Sequence, residues 1–270
     1  MLFKNREDAA ELLVQRLRNA YKNKNPLVLG VPRGAVPMAK IIADSLAGEL
    51  DVVLVHKLTH PEQAELAIGA IDEQGNAFIS AWAADLDPDY LAGEKRRQLA
   101  VLRQRRARYT PLRQRIDPHG RIVIVVDDGI ATGSTMTAAL RALRGRKPKK
   151  LIGAVAVASP EAARAMLHEC DAMVCLNVPA DFYSVGQFFD DFAQVSDDDV
   201  VAILKQDVEM YWQLDKRSLA SPRDRYRLAV VAVPPVFVGS RSALWIKIMP
   251  SSSKRRWAIS LAAVSQICWR

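Results

Sequence analysis

Five apolar runs rich in β-branched residues, spaced by segments of helical pattern, leave this 270-residue chain few folds to adopt. The runs are PLVLGV (26–31), DVVLVHKL (51–58), RIVIVVDD (121–128), KLIGAVAVAS (150–159) and AMVCLNVP (172–179). Each is apolar on consecutive rather than alternate residues, the mark of strands buried on both faces, as in a parallel sheet covered by its own crossover helices. Helices are predicted at 35–47, 134–144 and 160–169, the last opened by Ser159 as cap with Pro160 in its first turn. An N-terminal helix comes first, with Leu12, Leu13, Leu17 and Ala20 on one face. The expected architecture is α/β, a parallel sheet of about five strands flanked by helices.

Two stretches depart from this alternation. Residues 60–120 are too long for a simple crossover and hold a strand-like NAFIS (76–80) and a basic helix over about 91–108. They read as an insertion packed over the sheet's edge or top. After residue 206 the texture changes again: Pro234-Pro235, Ser251–Ser253 and KRRW (254–257) break short apolar runs that have no sustained period. Trp212, Trp245, Trp257 and Trp269, four of the five tryptophans, lie there. The organisation expected is a domain over 1–206 and an irregular, poorly ordered tail over 207–270.

Charge and cysteine content exclude some functions. The net charge is +8, but residues 207–270 hold eleven basic and four acidic residues, which leaves 27 basic against 26 acidic in the body. A nucleic-acid role for the body therefore cannot rest on its net charge. Cys170, Cys175 and Cys268 are too few and wrongly spaced for a disulfide framework or a thiolate metal site. No stretch nears the roughly 18–20 apolar residues of a membrane span, and the first residues lack the apolar core of a signal peptide. The expectation is a cytoplasmic protein.

The chemistry concentrates in VVDDGIATGSTM (125–136). A strand ends in Asp127 and Asp128; a loop of small and hydroxylated residues follows, Gly129 through Thr135, and a helix begins. Small residues let backbone N–H groups converge on an anion at a helix N-terminus, where the helix dipole also favours negative charge. Thr132, Ser134 and Thr135 add hydroxyls. No lysine follows Gly133, so this is not a Walker loop, and the glycine spacing is not that of a dinucleotide fold. Two carboxylates beside a phosphate cradle need something else to address. A sugar phosphate supplies both partners: its phosphate for the loop, its hydroxyls or a metal ion for the aspartates.

This stretch resembles the ribose-phosphate signature of type I phosphoribosyltransferases, which use 5-phosphoribosyl-1-pyrophosphate. The segment LGVPRGAVPMA (29–39) stands where that family carries its pyrophosphate loop. The segments HKLTHPEQAELAIGAID (56–72) and VPADFYSVGQFFDDF (178–192) resemble a set of uncharacterised bacterial proteins with this domain, and the resemblance spans about residues 1–206. It implies the type I fold, with the insertion acting as mobile loop and the segment after the fifth strand acting as hood. Phosphoribose would be bound by Asp127, Asp128, Ala131, Thr132, Gly133, Ser134 and Thr135, and pyrophosphate by Arg33 and Gly34, with the Pro32–Arg33 peptide in the cis form. Mg²⁺ would lie near Asp127 and Asp128, direct or through water. Lys57 and Glu65 are the candidates on the closing side, with Lys57 assigned alongside Asp127 and Asp128 to catalysis. Phe182, Tyr183 and Phe188 are the candidates on the acceptor side. Ala131 stands where hypoxanthine–guanine enzymes carry a carboxylate, so this loop is closer to adenine-type loops.

The reaction implied is transfer of phosphoribose to a nitrogen nucleophile, a nucleobase or related small molecule, with release of pyrophosphate, in a homodimer. A second reading keeps the fold and discards turnover. It is a regulator that binds nucleic acid through KRRQLAVLRQRRARYTPLRQR (95–115), which has nine basic residues and no acid.

Overall fold

The computed structural model describes residues 2–63, 66–83, 85–111 and 115–207. They fall in the first of two compact units of the chain, Met1–Pro111 with Arg115–Asp207. The tail expected over 207–270 lies, beyond Asp207, outside the described residues.

Five parallel strands form the main sheet: β1 Leu27–Gly30, β2 Glu49–Val52, β6 Ile122–Ile130, β7 Lys150–Ala158 and β8 Ala172–Asn177, in the spatial order β2-β1-β6-β7-β8. A second, antiparallel sheet runs β3 (Val55–Thr59), β4 (Ala67–Asp72), β5 (Ala77–Ile79). The helices are α1 Arg6–Tyr21, α2 Ala35–Leu46, α3 Pro88–Tyr109, α4 Ser134–Arg144 and α5 Pro160–Met166, and residues 197–207 are also helical. The α/β class and the five-stranded parallel sheet agree with the sequence.

The central strands earn their places by composition. Almost every residue of β1 and β7, and Val123–Val126 of β6, is buried, so the β-branched runs fill both faces. α2 packs on β1, β2 and β6, and α4 packs on β6 and β7. Gly30 permits the first of these contacts, since a Cβ there would lie 3.0 Å from the Val36 backbone.

Four expectations need correction. The run 51–58 is not one strand. It splits into β2, which pairs with β1, and β3, which leaves for the antiparallel sheet. β8 is half-buried along its length, because among the described residues it is an edge strand without a neighbour on one side. On α1 the buried stripe is Ala9, Ala10, Leu13, Leu17 and Tyr21; Ala20 is exposed. The α5 segment stops at Met166, three residues short of the expected end, although Ser159 caps it by accepting from the Ala162 N–H at 3.1 Å.

The insertion is anchored at the sheet edge by a buried ion-pair network. Arg106 of α3 donates to Asp51 Oδ1 on β2 at 2.7 Å and to both oxygens of Glu73 at 2.6 and 2.7 Å. It also donates to the Val52 carbonyl at 3.0 Å. Burial opposes its charge, but these acids outweigh that and raise the guanidinium's affinity for its proton. The antiparallel sheet meanwhile packs on α4, the helix that opens at the glycine-rich loop.

Candidate active site

The strand order places the site. From β1 the chain steps outward to β2, returns to the other side of β1 for β6, then continues to β7 and β8. The order reverses between β1 and β6, and in open parallel sheets the crevice at the carboxyl ends of such a strand pair is where ligands bind. The register Gly30↔Val126 and the bond from Val31 N to Val126 O (2.9 Å) bring both strand ends together. Residues 32–34 leave β1 at that point and Asp127 continues β6. The two loops singled out in the sequence therefore flank one crevice.

On the β1 side, the Pro32–Arg33 peptide is cis, as the resemblance implied. Arg33 is exposed, and the Val36 N–H donates to its carbonyl at 3.1 Å where α2 begins. Gly34 has an ordinary helical φ of −55°, so backbone freedom is not why it is glycine. A Cβ there would lie 2.2 Å from Asp128 Oδ2. The glycine exists to let the two loops touch.

On the β6 side, the two acids are not equivalent. Asp127 is held well above the ordinary carboxylate range, first by burial and then by the neighbouring Asp128 charge. Its Oδ1 accepts the Asp128 N–H at 3.0 Å. Asp128 is also raised by burial, but Arg6 opposes this. The Arg6 Nε and Nη2 atoms reach Asp128 Oδ2 at 2.9 and 2.8 Å. The side chains are 12% and 14% exposed.

The loop itself is braced from behind. Ser159, at the end of β7, donates to the Ala131 carbonyl at 2.6 Å while its oxygen accepts the α5 cap bond. The Thr132 and Ser134 hydroxyls share a hydrogen bond at 3.0 Å. Gly133 takes φ +74° and opens α4 with no side-chain cap of its own, and the Ser134 N–H makes only a long bond, 3.4 Å, to the Thr132 hydroxyl. Ala131, Thr132 and Thr135 are exposed. A loop that is fixed at a carbonyl, uncapped at a helix start and open to solvent suits an anion.

The hood comes from the chain after β8. The Tyr183 and Ser184 N–H groups both donate to Gln187 Oε1 at 2.8 and 3.0 Å, and Gln187 Nε2 donates to the Asp181 carbonyl at 3.0 Å. This knot presents the Tyr183 ring 88% exposed. Phe188 is 9% exposed and packs in the core, tilted against Phe182 with centroids 5.7 Å apart. Gly129 lets the hood close onto β6, because a Cβ there would meet Val185 at 2.5 Å.

The structure thus gathers Arg33, Gly34, Asp127, Asp128 and the 131–135 loop. Lys57 is exposed on β3, and no hydrogen bond or ion pair among the described residues ties it to that loop. Glu65 lies outside the described residues. Of the basic strip, Arg106 turns inward, Arg97 pairs with Glu94 at 2.7 Å, and Arg108 pairs with Asp197 and Asp198 at 3.0 and 2.9 Å. Arg96, Arg103 and Arg105 remain exposed. The end of α3 also lies within electrostatic reach of Arg33. Tyr109 donates to Asp197 Oδ1 at 2.5 Å, and burial with that acceptor pushes its hydroxyl up to about 12. Asp197 is held below the usual carboxylate range by that hydroxyl first, then by Arg108, Arg33 and Arg105. The sequence reading missed Arg6 and the brace role of Ser159. In sequence Ser159 reads only as a helix cap, and nothing local marks Arg6.

Comparison with known proteins gives the family. The model of the phosphoribosyl transferase domain matches residues 2–192. The chain belongs to that family, a family of transferases. The crystal structure of the protein TT1426 from Thermus thermophilus is 42% identical, with a TM-score of 0.71, covering 76% of this chain and 99% of its own. Two curated Mycobacterium tuberculosis proteins, MT0597 and Rv0571c, carry provisional phosphoribosyl transferase names. They are 42% identical over 206 residues, 75% of this chain and 46% of theirs. The chain spans about half the length of these curated relatives.

Among the described residues no helix is long and apolar enough to cross a membrane, and no group of three or more His, Cys, Asp or Glu forms a metal cage. The acids at the crevice suit a hard divalent ion that brings most of its ligands with a phosphorylated substrate. Asp127, whose carboxylate no cation engages directly among the described residues, fits that part better than Asp128, whose Oδ2 is taken by Arg6.

Proposed function

We propose that this phosphoribosyl transferase domain uses 5-phosphoribosyl-1-pyrophosphate and Mg²⁺ to place phosphoribose on a nitrogen of a nucleobase or related small molecule. The observation that carries the reading is the meeting of two loops at the sheet's reversal point. An uncapped helix start preceded by two acids lies on β6, and a short loop with an exposed arginine lies on β1.

In this reading the 5-phosphate sits at the 131–135 loop and the ribose hydroxyls meet Asp127 and Asp128. The pyrophosphate lies toward Arg33, which offers a bidentate, always-charged partner. The bond from the anomeric carbon to the pyrophosphate oxygen breaks, and its electron pair leaves with pyrophosphate. The acceptor nitrogen forms the new bond and gives up its proton. Mg²⁺, when bound, would supply charge neutralisation for the leaving group, and Asp127 would be the residue to hold it, directly or through water. The protein's share is to hold the sugar still, to meet the charge that develops on the leaving group, and to exclude water. Tyr183 and Phe182 on the hood offer flat surfaces suited to a ring acceptor. Lys57 is proposed to act from the closing side.

The test is pyrophosphate release from 5-phosphoribosyl-1-pyrophosphate across a panel of nucleobases and amides with Mg²⁺. Calorimetric titration of the same protein with the pyrophosphorylated ribose alone tests the first step. Absence of binding there would overturn the reading.

A further inference from the structure

Arg6 is the place where the parts of the crevice are joined. It is the first residue of α1, and Asn5 fixes that start by accepting the Asp8 N–H at 2.9 Å. Its guanidinium is used in three directions. Nε and Nη2 go to Asp128 Oδ2. Nη1 donates to the Ala193 carbonyl at 2.7 Å, just past the hood. The flat face lies over the Phe192 ring, 3.8 Å from its centroid. Phe192 stacks on Phe189 at 4.9 Å, and Phe189 meets Phe3 at 5.2 Å.

The residues just before Arg6 are fastened to the same segment. Phe3 N donates to Phe188 O at 2.8 Å, while Asp190 N and Asp191 N donate to Phe3 O and Lys4 O at 2.9 Å each. From the other side the β1 loop presses on the pair, with the Gly34 position 3.1 Å from Arg6 Nη2 by a built Cβ. Three segments therefore converge on one guanidinium: the acid of β6, the loop after β1 and the hood.

We propose that Arg6 is a positioning residue for ribose recognition, holding the Asp128 carboxylate by Oδ2 so that Oδ1 is left for a substrate hydroxyl, and locking that orientation to the hood. The proposal rests on the phosphoribosyl reading above. Two adjacent carboxylates would repel a substrate that carries several phosphate charges. Arg6 offsets one of them while its Nε, Nη1 and Nη2 atoms each bond a protein partner. Lysine keeps the charge but not the planar fork that serves an acid, a carbonyl and a ring face together.

The experiment uses the full chain with Mg²⁺ and titrates two probes by calorimetry, ribose 5-phosphate and inorganic pyrophosphate. The proteins are the wild type, Arg6→Met, Arg6→Lys, Asp128→Asn and the Arg6→Met/Asp128→Asn double variant. Arg6→Met should weaken ribose 5-phosphate by about tenfold or more and leave pyrophosphate within about threefold. Arg6→Lys should fall between Arg6→Met and wild type. In the Asp128→Asn background, Arg6→Met should add less than about threefold, since the effect runs through Asp128. Full additivity in the double variant, or equal losses for both probes, overturns the proposal. If near-ultraviolet circular dichroism shows Arg6→Met unfolded, Arg6→Lys decides, and wild-type affinity there overturns it. A wild type that binds neither probe refutes the phosphoribosyl reading itself, a result distinct from any of these.

Discussion

Gly34→Ala isolates one contact at the crevice. The residue sits at φ −55°, ψ −35°, where alanine is at ease, and stiffening the unfolded chain would by itself stabilise the protein by about 0.4–1 kcal/mol. The added methyl, however, would lie 2.2 Å from Asp128 Oδ2. An ordinary carbon–oxygen contact is about 3.3 Å, so the pair must open by about 1 Å. The carboxylate cannot yield freely, because Arg6 grips that same oxygen at 2.8 and 2.9 Å. Overpacking of this kind costs about 1–3 kcal/mol. The net loss should be about 1–2 kcal/mol, or about 2–8 °C in Tm for a unit of this size. The functional effect should be larger, since a shift of about 1 Å in a positioned group can cost about 100-fold. Differential scanning calorimetry reads the first effect and titration with ribose 5-phosphate the second. Gly145→Ala is the control: its φ is −59°, and a Cβ there would meet nothing closer than 3.5 Å, so it should raise Tm slightly. A Gly34→Ala protein with raised Tm and wild-type affinity would refute the idea that the two loops meet at Asp128.

Other expectations follow from the same geometry. Arg33→Ala should weaken pyrophosphate binding by about tenfold or more and ribose 5-phosphate by much less, and equal losses in calorimetry would contradict its assignment. Asp127 is held above its ordinary range, so it costs stability once pH passes the unfolded carboxylate value, with the cost growing until pH reaches the folded value. Asp127→Asn should therefore raise the Tm of the ligand-free protein at pH 8, with the gain vanishing near pH 4, about the unfolded aspartate value. The same variant should lose ribose binding, and a gain confined to acid pH would reverse the sign of the argument. Arg106→Met takes the guanidinium from the nearly inaccessible Asp51 and should cost about 3–5 kcal/mol in urea unfolding; a loss under about 1 kcal/mol would show the network adds little. A chain ending at Asp207 should fold and bind ribose 5-phosphate, which gel filtration and calorimetry on that protein would check.

The sequence carried the central sheet well because β1, β6 and β7 are buried on both faces, and consecutive apolar residues record that burial directly. It carried the β6 loop for a different reason: acids, glycines and hydroxyls in that order have few structural uses. The failure at 51–58 is instructive. Val53 and Leu54 are buried like their neighbours, so hydropathy does not change where the chain passes from the parallel to the antiparallel sheet. Edge position is equally silent, since β8 reads as a core strand until one knows that no described strand pairs beyond it. Gly34 shows the same limit. Its sequence setting suggests close approach to a ligand, whereas its nearest neighbour is Asp128. Arg6 could not have been found by spacing at all, because it lies 122 residues from the acid it holds.

Why two aspartates stand side by side can be argued from the strand that carries them. β6 continues to Ile130, and successive residues of a strand point to opposite faces. Asp127 and Asp128 therefore leave the strand in different directions and meet different protein neighbours, although both border the crevice. Asp128 meets Arg6 of α1 and the Gly34 loop ahead of α2. Asp127 is left to the other side, without a direct cationic partner among the described residues and with its proton affinity raised. One acid has a protein cation that opposes the effect of its burial; the other depends on what binds. The pair then presents less than two full negative charges to a phosphorylated sugar before it arrives. It can still present two acceptors once hydroxyls or a metal ion stabilise the second. On this account the two positions are not interchangeable. Asp128→Asn should disturb the Arg6 junction and the hood with it, whereas Asp127→Asn should spare both and remove only the group that answers to the ligand.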